Sequence, residues 1–255
     1  MHGYVSLVVP ALTEDDESVV LKVTFDGDDE SEHEALALRH WDGRGAVRMI
    51  RADPSRRAML LERLHATDLR DVWDIEACEV VAGLWPLLHV PALPQLRPVT
   101  AYVEQWVADL QGLPANGPVP RRLVQQATSL AADLVADPDS TRCVIHGDLH
   151  YYNVLASDRE PWLAIDPKPM NGDPHYEVAP MLWNRSEELG ALDGLSVRGG
   201  IRRRFHALVD AGGLDEDRAR DWVVVREVLN AHWAAELGDT EAATTAVTVA
   251  KAVQG

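Results

Sequence analysis

The sequence predicts an α+β fold of two lobes: a small antiparallel β lobe with one helix over residues 1–63, and a larger, mainly helical lobe over residues 64–255. Three observations carry this expectation. The first sixty residues alternate β-prone runs with a single helical stretch. From Glu62 to Leu64 onward the apolar residues switch to three- and four-residue spacing, the period of an amphipathic helix. A short β-hairpin then interrupts the helical part and brings together polar side chains that no core needs.

The elements follow in order. Residues 4–9 and 19–24 read as strands joined through the acidic turn 13–17. The acidic run 26–34 reads as an exposed loop entering a helix, with Ser31 and Glu34 at capping-box spacing. Ala35, Leu36, Leu38 and Trp41 supply that helix's apolar side, and the glycine-rich stretch 42–45 stops it. Residues 47–52 and 57–61 pair around Asp53, Pro54 and Ser55 as a hairpin. Ile75, Cys78, Ala82 and Trp85 mark the next helix, and Pro86, Pro91, Pro94 and Pro98 punctuate the segment after it. Residues 102–110 and 123–134 read as two more helices, separated by a proline-rich stretch. Strand Cys143–Ile145 leads into a loop, Val154 and Leu155 resume β character, and residues 161–165 return as a second strand. Helices are expected near 176–189, 201–211 and 215–237. Trp222, Val225, Leu229, Trp233 and Leu237 line one side of the last, which makes those tryptophans core residues.

Composition sets bounds. A chain of 255 residues can bury a sizeable core, and 46% apolar with 25% charged residues is ordinary for a folded domain. No apolar run approaches the ~20 residues of a membrane span, no signal-peptide pattern opens the chain, and two cysteines make no disulfide framework. Cytoplasmic residence is the default expectation, with a monomer favoured. A net charge of −17 argues against nucleic acid as a partner. It suits a cationic small-molecule acceptor.

The chemistry lies in the loop and hairpin. His146, Gly147, Asp148, Leu149, His150, Tyr151, Tyr152 and Asn153 are followed at a strand end by Asp166, Pro167 and Lys168. Asp148 is a carboxylate able to accept a proton. Asn153, five residues on, and Asp166 offer oxygens that can hold Mg²⁺ against the phosphates of ATP or GTP. That order matches a kinase catalytic loop and its later metal-binding Asp, and phosphoryl transfer asks the protein mainly for positioning and charge neutralisation. His146, Asp148 and His150 alternate as zinc ligands on a strand would, but no further His or Cys nearby completes a set. His146 reads as packing beneath the loop, and His150 as a loop brace or a nucleotide-side contact. Lys22 stands inside an apolar strand, where an unpaired ammonium is costly. It therefore calls for an anion, with phosphate and a helix glutamate as partners: Glu34, or Glu32 in its place. By position, Glu62 to Leu64 would offer backbone groups to an adenine edge, beside Leu60 and Leu61.

Taken together, residues 146–184, with Glu160 to Lys168 and Gly172, Asp173, Tyr176 and Glu177, resemble the aminoglycoside/hydroxyurea phosphotransferases. The likeness extends through residues 19–22, 34–39, 45–48 and 60–64. It implies a protein-kinase-like bilobal fold and an ATP-dependent small-molecule kinase, most similar to the streptomycin 6-phosphotransferases. By that resemblance Asp148 is the catalytic base, Asn153 and Asp166 hold Mg²⁺, Lys22 binds phosphate, and acidic groups such as Asp173, Glu177 and Glu236 meet a cationic aminocyclitol. Three departures stand out. Tyr152 replaces a glycine that is usual before the metal-binding Asn, and Glu177 replaces an Asp. The chain also starts later than is usual in the family, so the first strand of the nucleotide-covering hairpin is expected to be missing. The rival readings keep the chemistry on hydroxyurea or a metabolic alcohol, or make the chain a catalytically silent nucleotide-binding remnant.

Overall fold

A computed structural model describes residues 6–25, 27, 32–111, 119–189 and 196–255. Four strands form an antiparallel sheet in the order β1-β2-β4-β3, from β1 (Ser6–Leu12), β2 (Ser18–Thr24), β3 (Met49–Asp53) and β4 (Ala58–Glu62). Lys22 pairs in register with Val8 on one side and Met59 on the other, which fixes it in the middle of the sheet. Helix α1 (Glu34–Trp41) crosses between β2 and β3. Ala37, Leu38 and Trp41 are its buried face. It ends where Asp42 turns left-handed and returns its N–H to Leu38. Ser31 lies outside the described residues. The Glu34 carboxylate turns to Lys22, so the capping-box reading gives way to an ion pair.

After β4 the chain runs along the catalytic hairpin. His65 N–H donates to the Ala156 carbonyl and Ala156 N–H to Thr67. Helices α2 (Asp74–Leu88), α3 (Val99–Gln111), α4 (Arg121–Ala136), α5 (Pro180–Trp183), α6 (Val197–Gly212), α7 (Glu216–Glu236) and α8 (Thr240–Ala252) make up the larger part. Pro86 sits inside α2 near its end rather than breaking it, a position where the lost backbone donor disturbs only the last turn. The helix expected over 176–189 is instead two short 3₁₀ turns flanking α5, because Arg185 adopts φ +53° and interrupts the helical path. Two small ladders complete the fold: β5 (Cys143–Ile145) with β8 (Met170–Gly172), and β6 (Val154–Ala156) with β7 (Trp162–Ala164). No helix among the described residues is long and apolar enough to cross a membrane.

The core runs continuously from α1 through α2 to α7. A buried polar knot sits beneath the catalytic loop. Arg204 donates from Nε to both Asp74 oxygens, at 2.8 and 3.0 Å, and Tyr151 O–H donates to Asp74 at 2.7 Å. Arg204 also donates to the carbonyls of Met181, Asn184 and Arg185. A buried ion pair survives only when its remaining donors are satisfied in this way.

Candidate active site

The loop between β5 and β6 is shaped by its glycine. Gly147 has φ +82°, and a Cβ there would stand 2.3 Å from the Lys168 carbonyl oxygen. Only glycine allows both the left-handed turn and that approach. The next residue, Asp148, points a side chain that is 30% exposed. His150 Nε2 lies 3.6 Å from its Oδ2 and 3.4 Å from Asn153 Nδ2, so the carboxylate, the imidazole and the amide form one cluster. Asn153 Nδ2 donates to the Asp148 carbonyl at 2.8 Å. That bond fixes the amide's orientation and leaves its oxygen without a protein donor among the described residues. Ile165 N–H donates to the Asn153 carbonyl, which brings Asp166 alongside.

Asp166 has φ +54° and a carboxylate 40% exposed. Lys22 Nζ bonds both oxygens of Glu34 at 2.7 Å and also Asp166 Oδ1. Burial works against the Lys22 charge, but Glu34 and Asp166 outweigh it and hold its pKa above the ordinary lysine value. Burial raises the Glu34 carboxyl more than Lys22 lowers it. At Asp166 burial is outweighed by Lys22 and Lys168, so that carboxyl stays below its ordinary range. Burial also pushes Asp148 up, yet His150, Arg226 and His146 together bring it to about 2. Asp148 is therefore ionised at neutral pH and weakly basic.

His146 packs beneath the loop, as its sequence position suggests. It stacks on Trp41 of α1 (ring centroids 6.3 Å apart, 9° between planes), bonds the Ile165 carbonyl through Nε2 at 3.0 Å, and accepts the Asp148 N–H. Burial lowers its pKa to about 4, so it is neutral. With both nitrogens committed it is no zinc ligand. Among the described residues no three His, Cys, Asp or Glu side chains gather to hold a metal. The oxygen pair of Asn153 and Asp166 does fit Mg²⁺, which takes one or two protein oxygens and fills its shell with water and phosphate.

Tyr152 resolves one of the departures. It lies in a 3₁₀ turn over Tyr151–Asn153 and is not among the residues with positive φ, so the backbone needs no glycine there. Its ring is 39% exposed, with the Arg70 guanidinium 5.3 Å above it.

Three residues take other tasks than those expected. Asp173 is 1% exposed and spends its oxygens on His175, Trp222 Nε1 and Arg218. Glu177 is fully buried and accepts the Gly147 N–H at 2.6 Å. Neither can touch a dissolved acceptor, because both carboxylates are sealed from solvent. Glu62 gives its N–H to Arg48, and its carboxylate accepts from Arg48 N–H and from Arg159. It is a brace between strand and hairpin rather than a free nucleotide contact. Leu64 does keep a backbone N–H with no backbone partner among the described residues. Glu236 is 65% exposed at the end of α7, with His232 3.7 Å away.

Two arginines that no sequence pattern marks also shape the site. Arg159, in the turn between β6 and β7, donates to the carbonyls of Gly43 and Ala46 as well as to Glu62, tying the hairpin to the sheet lobe. Arg226 of α7 donates to the Gly147 carbonyl at 2.8 Å. No local pattern marks either one, since each reaches partners far away in the chain.

The sequence profile of the aminoglycoside/hydroxyurea antibiotic resistance kinases matches residues 1–238. A streptomycin 6-kinase of Streptomyces glaucescens is 39% identical over 259 residues, covering 99% of this chain and 82% of the relative. A hydroxyurea phosphotransferase of Kitasatospora aureofaciens is 38% identical over 265 residues, covering 100% of this chain and 73% of the relative. Among solved structures, an aminoglycoside phosphotransferase in ternary complex with ADP and hygromycin B superimposes with a TM-score of 0.65 at 15% identity, over 99% of this chain and 91% of that one. The fold is therefore that of the kinase-like phosphotransferases, and the chain belongs to the aminoglycoside/hydroxyurea antibiotic resistance kinase family.

Proposed function

We propose that this kinase moves the γ-phosphate of ATP, or of GTP in its place, to a hydroxyl of a cationic aminocyclitol such as streptomycin. The observation that carries this reading is a linked pair of groups: Asn153 bonded to Asp148, and Asp166 bonded to Lys22, which Glu34 also holds, the two joined where the Ile165 N–H meets the Asn153 carbonyl. It occurs in a chain 39% identical to a streptomycin 6-kinase. Residues 1–63 form the nucleotide lobe, with Leu64 as the free backbone group at the junction, and residues 64–255 carry the loop and the acceptor side.

In this assignment Asp148 orients the acceptor hydroxyl and receives its proton. Asn153 and Asp166 hold Mg²⁺, which neutralises charge on the phosphates. Lys22, kept charged and oriented by Glu34, faces the phosphates once Asp166 has another cation to balance. Glu236 is the remaining acidic group assigned to the acceptor. It lies ten residues beyond Arg226 on α7, about 15 Å along the helix axis, so only a long polycation could span both ends. The net charge of −17 favours such a molecule.

A second reading places hydroxyurea in the acceptor site, because the relative of that name matches the whole of this chain at 38% identity. Transfer of radiolabelled γ-phosphate from Mg-ATP and Mg-GTP to streptomycin, other aminoglycosides and hydroxyurea separates the two. Label in streptomycin alone supports the first reading, and label in hydroxyurea alone replaces it. Label in neither, with a sound fold by circular dichroism, removes both.

A further inference from the structure

We propose that Arg226 is a positioning residue for phosphoryl transfer, holding the Gly147 peptide from the side opposite Glu177 so that Asp148 keeps its aim. The inference rests on the reading of Asp148 as the base that orients the acceptor.

The peptide groups of Gly147 are held at both ends by buried or half-buried side chains from other segments. Glu177 Oε1 accepts its N–H at 2.6 Å, and Arg226 Nη2 donates to its carbonyl at 2.8 Å. That carbonyl belongs to the peptide that carries Asp148 N–H, which in turn donates to His146 Nδ1 at 3.3 Å. Two side chains from distant segments, with the neighbouring His146, thus fix two successive peptide planes. The restraint matters because Gly147, at φ +82°, is the one residue in the loop with no side chain of its own to lock its rotation.

Arg226 is itself well anchored. Its guanidinium lies 4.4 Å from the Tyr176 ring centroid and 5.1 Å from that of Trp183, and Nη1 donates to the Tyr176 carbonyl at 3.4 Å. Flat cations stack on aromatic faces in this way and lose little freedom when they also donate. The side chain is half-buried on α7, a long helix packed against α4, α8 and the 3₁₀ turn Pro174–Val178. The loop is thereby tied to a long helix packed on three sides within the larger lobe. Electrostatics point the same way. Burial raises the Asp148 carboxyl, and among the charges that lower it Arg226 follows His150.

The test uses the whole chain and two substitutions. Arg226→Met keeps the stem between the rings and removes every donor. Arg226→Lys restores one cationic donor. Arg226→Met is expected to lower kcat about 10- to 100-fold, the scale of an ångström-sized misplacement, with KM for Mg-ATP within about threefold of wild type. Arg226→Lys should recover most of that loss. Hydrogen exchange read by mass spectrometry needs no acceptor: peptides covering 146–149 should exchange at least about tenfold faster in Arg226→Met, as expected for a local opening, with those of α8 unchanged. Unchanged exchange at 146–149, or a kcat that falls only with the folded fraction, overturns the proposal. Asp148→Asn is assayed beside them. If that variant turns over normally, the reading of Asp148 has failed, and the exchange data still decide whether Arg226 holds the loop.

Discussion

Glu177→Gln isolates the energetic cost of the buried carboxylate under the catalytic loop. Burial pushes the Glu177 carboxyl from an ordinary 4.5 up to about 7, against the pull of the Gly147 N–H and Arg226. A carboxyl raised in the folded state stabilises the fold fully below its unfolded pKa. That contribution is lost as pH rises through the folded value. The interval between 4.5 and about 7 corresponds to about 3 kcal/mol at 1.36 kcal/mol per unit. Between pH 5 and pH 8 the wild type should therefore lose roughly 2 kcal/mol through this one group. Glutamine cannot ionise and keeps an oxygen for the Gly147 N–H. Its new N–H₂ faces His89 Nε2, which lies 4.0 Å from Glu177 Oε2; both atoms lack a partner in the wild type. Burial holds His89 near a pKa of about 4, so its neutral ring can accept that hydrogen bond. Urea denaturation of both proteins at pH 5 and pH 8 gives the double difference. Glu227, raised by burial to about 8, titrates in both proteins and cancels. A double difference below about 0.5 kcal/mol, or one of opposite sign, would refute the linkage argument.

The remaining expectations concern the site and the knot beneath it. Asp148→Asn should keep Mg-nucleotide affinity by calorimetry while losing about 10²–10⁴ in turnover; near-normal turnover removes Asp148 from its role. Asp166→Ala should abolish the Mg²⁺ dependence of nucleotide binding, and an unchanged Mg²⁺ titration counts against the metal assignment. Asp74→Ala strips Arg204 of its carboxylate and Tyr151 of its acceptor. A cost of about 3–5 kcal/mol in denaturant is expected for a buried charge left unpaired, and a loss under 1 kcal/mol would show that Arg204 finds other partners.

The parts of this site that were legible in the sequence are those whose chemistry conflicts with their surroundings. A lysine in an apolar strand needs an anion, and Lys22 has Glu34 at 2.7 Å. Asp148, Asn153 and Asp166 carry an order and spacing that a core would not select. The supports were harder to see. Asp173 and Glu177 read as acidic groups available to a cationic acceptor, whereas folding buries both against N–H donors. That distinction depends on where α7 packs, which no local pattern states. Strand β8 (Met170–Gly172) has no β-prone composition and exists because β5 supplies its partners. Helix α8 went unread because its threonines and valines weaken the helical signal, although Asp239 caps it through Ala242 N–H.

Two kinds of contact join the sheet lobe to the catalytic hairpin, and their difference bears on how the enzyme accepts a nucleotide. Arg159 with Glu62, Gly43 and Ala46, and the stacking of Trp41 on His146, tie the two parts together through groups that have no part in the proposed phosphate or metal binding. Lys22 is different, since its one charge faces two carboxylates, Glu34 and Asp166. Glu34 is sealed from solvent, and Asp166 is 40% exposed. Of the two carboxylates, Asp166 is the one open to solvent, on the side from which a cation could approach. In the proposed assignment a metal held at Asp166 would take over that carboxylate's charge, and Lys22, still paired with Glu34, would be left to meet a phosphate. Glu34 stays on Lys22 in either arrangement, so Lys22 would never be buried without an anion. Removing Glu34 should accordingly weaken nucleotide binding more than it weakens the contact between the lobes, which Arg159 and Trp41 maintain.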